Sequence, residues 1–133
     1  MLEDIEKFLA QMGFQHEPHE NTRALRFETY HMYGRVKMTA GAYNGQAYVK
    51  ACPVTEQPKE GWGPSVKGYI TKLAVEPSLY CLVIDSFGDI SISTEMDKQI
   101  FDYESFSFVV RNITDLCEKL TVQILQANAF EGK

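Results

Sequence analysis

His16 and His19 stand three residues apart in the stretch FQHEPHENT (14–22), with Glu17 and Glu20 interleaved. Imidazoles and carboxylates at such short spacing can bind a metal ion or pass a proton, so this is the first place to look for chemistry. Zinc proteases present His-Glu-x-x-His from a helix, where residues four apart share a face. Here the spacing is three, and Pro18 lies between the two histidines. A proline inside a helix removes a backbone donor and clashes with the preceding turn, so helical presentation of the pair is lost. A loop could still bind metal, but only with further ligands. The third histidine, His31, falls in a turn at the far end of a strand of about nine residues, roughly 25–30 Å from the loop at about 3.3 Å per residue. The stretch therefore reads as a solvated acidic loop, and no metal centre is expected.

The other candidates are no stronger. Asp85 and Asp89 flank Ser86-Phe87-Gly88 at what reads as a hairpin tip, where Asp is favoured for turn reasons alone. A glycosidase-like carboxylate pair needs two different environments, and nothing near an exposed tip supplies them. Gly61-Trp62-Gly63-Pro64 has two glycines but lacks the basic residue and spacing of a phosphate loop. Neither Gly-x-Ser-x-Gly nor Cys-x-x-Cys occurs. Cys52, Cys81 and Cys117 are odd in number and far apart in sequence, and read as small buried hydrophobes of a reducing compartment, with a Cys-His catalytic pair as the alternative. No catalytic residue and no cofactor is expected, and the chain reads as a non-enzyme.

What remains is surface, and its placement depends on the elements beneath it. Leu2, Ile5, Phe8, Leu9 and Met12 recur at spacings of three and four, which predicts an amphipathic helix closed by Gly13. Residues 22–30 alternate, with Leu25 and Phe27 on one side and Arg26 and Glu28 on the other. The runs RVKMTAGAY and QAYVKACPV flank Asn44-Gly45, a strong hairpin signal because both turn positions favour positive φ. That turn sets Tyr43 against Gln46, Ala42 against Ala47 and Ala40 against Val49. One face then reads Val36, Met38, Ala40, Ala42, Ala47, Val49, Ala51, suited to a covering helix. The other reads Lys37, Thr39, Tyr43, Gln46, Tyr48, Lys50. A long loop over 55–64 leads to a short helix through Val66, Tyr69, Ile70 and Leu73, stopped by Pro77. LYCLVID reads as a strand covered on both faces or central in a sheet, and DISISTEM as an alternating strand with Ile90 and Ile92 inward. Asp102 is a good N-cap for a last helix whose apolar stripe includes Phe106, Val110, Ile113, Cys117 and Leu120. Phe108 and Val122 lie off that stripe.

The predicted order is α-β-β-β-α-β-β-α, an α+β fold with a twisted antiparallel sheet of about five strands and helices packed on it. Tyr43, Tyr48 and Trp62 fall where this arrangement leaves them at least partly exposed, as anchors for a partner protein. The 133 residues are the size of one domain, 1–133, and 44% hydrophobic with 23% charged is the balance of a folded chain and not a disordered one. A net charge of −5 argues against a nucleic-acid partner. No apolar run is long enough to span a membrane. The first residues carry Glu and Asp where a secretion signal carries Lys or Arg, so the expected compartment is the cytoplasm.

Two stretches resemble the YbjN-like family, bacterial proteins described as sensory transduction regulators that share the type III secretion chaperone fold. One is VKGYITKLAVEPSLYCLVIDSFGDISISTEM (66–96): a short helix, an apolar strand, a Gly-containing turn and an alternating strand. The other is YESFSFVVRNITDLCEKLTVQILQANA (103–129), a long amphipathic helix. The first half is similar in element order only, and Ala74 follows Leu73 where the family often has Asn. The resemblance supplies no catalytic residues. It implies a chaperone-like or regulatory protein-binding module, and a homodimer. The alternative is a small-molecule sensor or small enzyme with a pocket near the 55–64 loop, walled by Trp62.

Overall fold

In order along the chain the elements are α1 (Leu2–Gln11), β1 (His16–Pro18), β2 (Ala24–His31), β3 (Gly34–Tyr43), β4 (Gln46–Thr55), α2 (Pro64–Val75), β5 (Cys81–Ile84), β6 (Ile90–Asp97) and α3 (Tyr103–Glu131). This computed structural model describes residues 1–18, 23–55, 61–75, 80–84 and 89–131, and within these the side chains except those of 52–55, 73–75, 83 and 127–131. Asn44 at φ 50° and Gly45 at φ 76° close the β3–β4 hairpin, and the pairs Tyr43–Gln46, Ala42–Ala47 and Ala40–Val49 follow from that turn as expected. Gly13 at φ 83° ends α1: its N–H donates to the Ala10 carbonyl at 3.0 Å and the Phe14 N–H to Leu9 at 2.9 Å. Those paired bonds satisfy two carbonyls that a helix end otherwise leaves open.

The six strands form one antiparallel sheet in the order β1-β2-β3-β4-β6-β5. Two details depart from the sequence expectation. The strand beyond the expected five is β1, cut from the stretch read as a loop. It pairs with β2 through His16–Phe27, Glu17–Arg26 and Pro18–Leu25. Pro18 is tolerated because β1 is an edge, where a missing N–H leaves no ladder bond broken. Secondly, β5 is the opposite edge and not a central strand, because β6 folds back between it and β4. Its apolar character serves one face only: Leu82 packs against the core while Cys81, on the opposite face, is exposed.

The helices lie on one face of the sheet. Ile5 and Leu9 of α1 and Phe106, Val110, Ile113 and Cys117 of α3 pack on Phe27, Val36, Met38, Ala40, Ala47, Val49, Ala51 and Ile92. Small residues in the two central strands let α3 approach closely, so alternation in the sequence becomes a flat seat for a helix. A second cluster joins Val66 and Ile70 of α2 to Ile90, Leu120 and Ile124. A polar tie crosses the interface. The hydroxyls of buried Thr29 and of Thr114 meet at 2.7 Å, and Thr114 also donates to the Val110 carbonyl at 2.9 Å. The β2–β3 turn is held to α3 as well, where the Met32 N–H donates to the Glu118 carboxylate at 3.1 Å.

Asp102 caps α3. Its carboxylate accepts the Ser105 backbone N–H at 2.7 Å, and hydrogen bonding to Ser105 holds the carboxyl below its usual range. Folding lowers this pKa, so the cap's contribution is complete above the ordinary carboxyl value near pH ~4 and fades as pH falls through the lower folded value. Asp102→Ala is expected to melt at a lower temperature than the parent at pH 7, with the two melting curves converging in strong acid. A difference that stays constant down the acid limb would show that the ionised cap is not its cause.

Cys117 and Cys81 are expected to differ chemically. Burial in the α3–sheet core pushes the Cys117 thiol up to about 12, whereas Cys81 on the edge strand is exposed. The thiolate is the reactive form, so maleimide should modify Cys81 in the native protein and reach Cys117 only on unfolding. Peptide mass spectrometry after timed labelling reads this directly. Native labelling of Cys117 at the rate of Cys81 would contradict the burial of this helix face.

Candidate functional site

Register places one residue from every strand in a row across the uncovered face: Glu17, Arg26, Thr39, Lys50, Ser93 and Cys81. A parallel row sets Gly41 opposite Tyr48 and Tyr48 opposite Glu95, and a third sets Tyr43 opposite Gln46 and Gln46 opposite Asp97. This is the polar face expected from the alternation around Asn44-Gly45, now extended to both edges of the sheet.

Tyr48 organises the middle of this face. Its partner across the ladder is a glycine, and the phenol ring lies close over the bare backbone of Gly41. The ring is half-buried as a result and stands between two hollows. The smaller, about 380 Å³, is lined by Arg23, Ala42, Tyr43, Gln46, Tyr48 and Glu95. The larger is an open groove of about 1220 Å³ running from Phe14 and His16 past Arg26, Lys37 and Thr39 to Tyr48 and Lys50. Tyr43 is 73% exposed at the rim of the smaller hollow. Two ion pairs cross the face, Arg26 to Glu17 at 2.9 Å and Arg35 to Glu28 at 3.5 Å. The arrangement suits binding of an extended chain: a broad polar surface, exposed tyrosine edges, a small hollow and a longer open groove.

The sequence candidates fare differently. Tyr43 and Tyr48 share this face as expected. Trp62 does not: it is 6% exposed and packs with Val66, Ile70, Leu120 and Ile124 in the helix-side core. Its large apolar surface lies just before α2 and is better buried under that helix than left in water, so it offers no surface anchor. His16 joins β1, its ring Nδ1 3.5 Å from the Phe14 carbonyl, while His19, Glu20 and Asp85 lie outside the described residues. The strand pairing also shortens the separation argued for the histidines. His16 sits opposite Phe27, four residues from His31, or roughly 13 Å along the strand and still beyond a shared metal ion. Among the described residues no group of three His, Cys, Asp or Glu side chains is placed to hold a metal. No described helix is long and apolar enough to cross a membrane.

Gly41, Arg23 and the place of Glu17 on this face escaped the sequence reading. Gly41 carried a usable signal, since a glycine inside an alternating strand often marks the close approach of another group. Arg23 and Glu17 carried none, because their place depends on the edge strand and on the β2 entry.

Comparison with known proteins places the fold. No family model and no curated protein matches the sequence. Among solved structures, the chain is similar to YbjN of E. coli, described as a candidate transcription regulator, with a TM-score of 0.66 and 15% identity over 98% of this chain and 93% of that one. It is also similar to a chain of the heterodimeric ExoU–SpcU complex from the type III secretion system of Pseudomonas aeruginosa, with a TM-score of 0.65 and 18% identity over 90% of this chain and 97% of that one. The fold is thus YbjN-like and secretion chaperone-like, as the resemblance in sequence implied.

Proposed function

We propose that this chain, with a fold shared by YbjN and by a component of a secretion-system heterodimer, is a non-catalytic protein-binding module. In this reading it is chaperone-like or regulatory, works in the bacterial cytoplasm and receives its partner on the open sheet face. The observation that carries the reading is that face itself. One side of the sheet is filled by three helices, while the other presents Tyr43, Tyr48 and two hollows to solvent. The heterodimer among the structural neighbours supports a protein as the partner. The test is capture from the native cell lysate on immobilised parent and on Tyr43→Ala/Tyr48→Ala. A protein retained by the parent and lost from the double variant supports the reading. Equal retention on both, or retention of nothing, counts against it.

Self-association belongs to the same proposal. Phe108 on α3 is 60% exposed and lies off the core-facing stripe, with half-buried Val122 on the same side of the helix. A two-fold interface would hide such residues against their own copies. Sedimentation equilibrium at micromolar concentration is expected to give about twice the 15.1 kDa chain mass, and Phe108→Asp to give the chain mass. A parent that sediments as a monomer throughout would remove the homodimer and leave the partner face untouched.

A further inference from the structure

We infer that the open sheet face selects an acidic, extended peptide segment whose carboxylates are received by Lys37 and Lys50; this rests on the protein-binding reading above. The chain as a whole carries a net charge of −5, yet the larger groove is lined by three cations, Arg26, Lys37 and Lys50, against two carboxylates, Glu17 and Glu28. Both carboxylates are already engaged. Glu17 pairs with Arg26 at 2.9 Å. Glu28 stands opposite Lys37 in the ladder, but its oxygens face Arg35 at 3.5 Å and accept the Tyr30 hydroxyl at 3.2 Å. Lys50 is flanked across the ladder by Thr39 and Ser93, neither of them charged. Lys37 and Lys50 are therefore left without a carboxylate partner among the described residues, in a groove whose charge opposes that of the chain as a whole.

Their spacing suits an extended chain. Lys50 pairs with Thr39, two residues along β3 from Lys37, so the two lysines are diagonal neighbours about 7–8 Å apart at the backbone. Alternate side chains of an extended peptide recur at nearly the same interval, about 6.6 Å, on one face. Acidic residues at alternating positions can thus meet both ammonium groups, while Tyr48, next to Lys50 on the same face of β4, offers an aromatic surface to the neighbouring apolar residue. Exposed ion pairs of this kind contribute little affinity each and act mainly on selection and encounter rate. A nucleic-acid strand fits less well. Its uniform phosphate charge would run over Glu17, Glu28 and Glu95, whereas a peptide can place neutral residues there.

A random peptide library displayed on phage and selected on the full chain tests this. Enrichment of Asp and Glu at alternating positions is expected. The best selected peptide, synthesised with a fluorophore, should bind about tenfold more weakly to Lys37→Glu/Lys50→Glu, equally well to Lys72→Glu at an exposed position of α2 on the other side of the sheet, and more weakly as salt rises. Thermal melts establish that the double variant is folded; Lys37→Ala/Lys50→Ala, expected to weaken binding in the same direction, replaces it if it is not. Neutral or apolar selected peptides that depend on Tyr48 would overturn the acidic preference while leaving the protein-binding reading in place. Acidic peptides indifferent to both lysine variants would overturn the assignment to this face. Selection of no peptide would overturn it as well. Tight binding of a fluorescent oligonucleotide, lost in the lysine variants, would reassign the face to nucleic acid.

Discussion

Phe106→Ala is expected to destabilise the protein by about 3–5 kcal/mol, the range for truncating a buried aromatic side chain. Phe106 is fully buried at the start of α3, one turn after the Asp102 cap. Its ring lies 5.9 Å from Phe8 of α1 and 6.0 Å from Phe101, and Phe8 reaches Tyr103 at 5.7 Å. These rings join α1 to the first turns of α3, and nothing smaller can fill their common space. The cost has two parts: the transfer of the lost surface and the cavity left where helix and sheet cannot close together. Equilibrium urea unfolding at neutral pH measures it. Ile113→Ala, also fully buried but further along the stripe, is expected to cost about 2–5 kcal/mol by the same argument. A loss below about 0.5 kcal/mol at both positions would mean that α3 does not seat on the sheet through this stripe.

The interior was readable because it rests on local rules. Alternation around Asn44-Gly45 assigned each residue of the central hairpin to its face, since a two-residue turn leaves no freedom of register. The stripe through Phe106, Val110, Ile113, Cys117 and Leu120 assigned the helix face in the same way. Features that depend on distant pairing were not readable. Three residues around a proline carry no strand signal of their own, and β1 is defined by its pairing with the edge of β2, with the exposed Glu17–Arg26 pair beside it. The apolar run of β5 looks the same in sequence whether the strand is central or an edge covered by a helix on one side. Trp62 shows the opposite error. A large aromatic in a Gly- and Pro-rich stretch looked exposed, but the following helix α2 supplied a core to bury it.

The open face was half legible for the same reason. Its tyrosines and lysines lie in the hairpin and could be placed by parity. Whether the face was free, and which of its charges were already paired, depended on where helices and edge strands settled. The proposed binding reading therefore rests less on any motif than on what the packing leaves uncovered and unpaired.

Gly41→Ala is expected to destabilise the fold by about 1–3 kcal/mol, although alanine in place of a strand glycine with ordinary backbone angles is usually neutral or favourable. Gly41 is not among the residues of positive φ, so the backbone itself would accept a side chain. The obstacle is space. A methyl group there would come within 2.7 Å of the Arg23 carbonyl oxygen, 2.7 Å of the Tyr48 hydroxyl and 2.8 Å of the ring carbon that bears it. The ring can swing aside at some cost in packing. The carbonyl cannot move alone, because it belongs to the entry of β2 and accepts the Ala42 N–H at 3.4 Å. Tyr48→Ala in the same chain should therefore restore only part of the loss, and a double-mutant cycle by urea unfolding separates the two contacts. The substitution should also reach the site. Displacing the ring shifts the divide between the two hollows, so Gly41→Ala is expected to weaken retention of any partner that requires Tyr48, while the folded variant keeps its secondary structure by circular dichroism. A variant as stable as the parent and unchanged in partner capture would mean that Tyr48 does not lie over Gly41, and the organisation of the open face around that ring would fall with it.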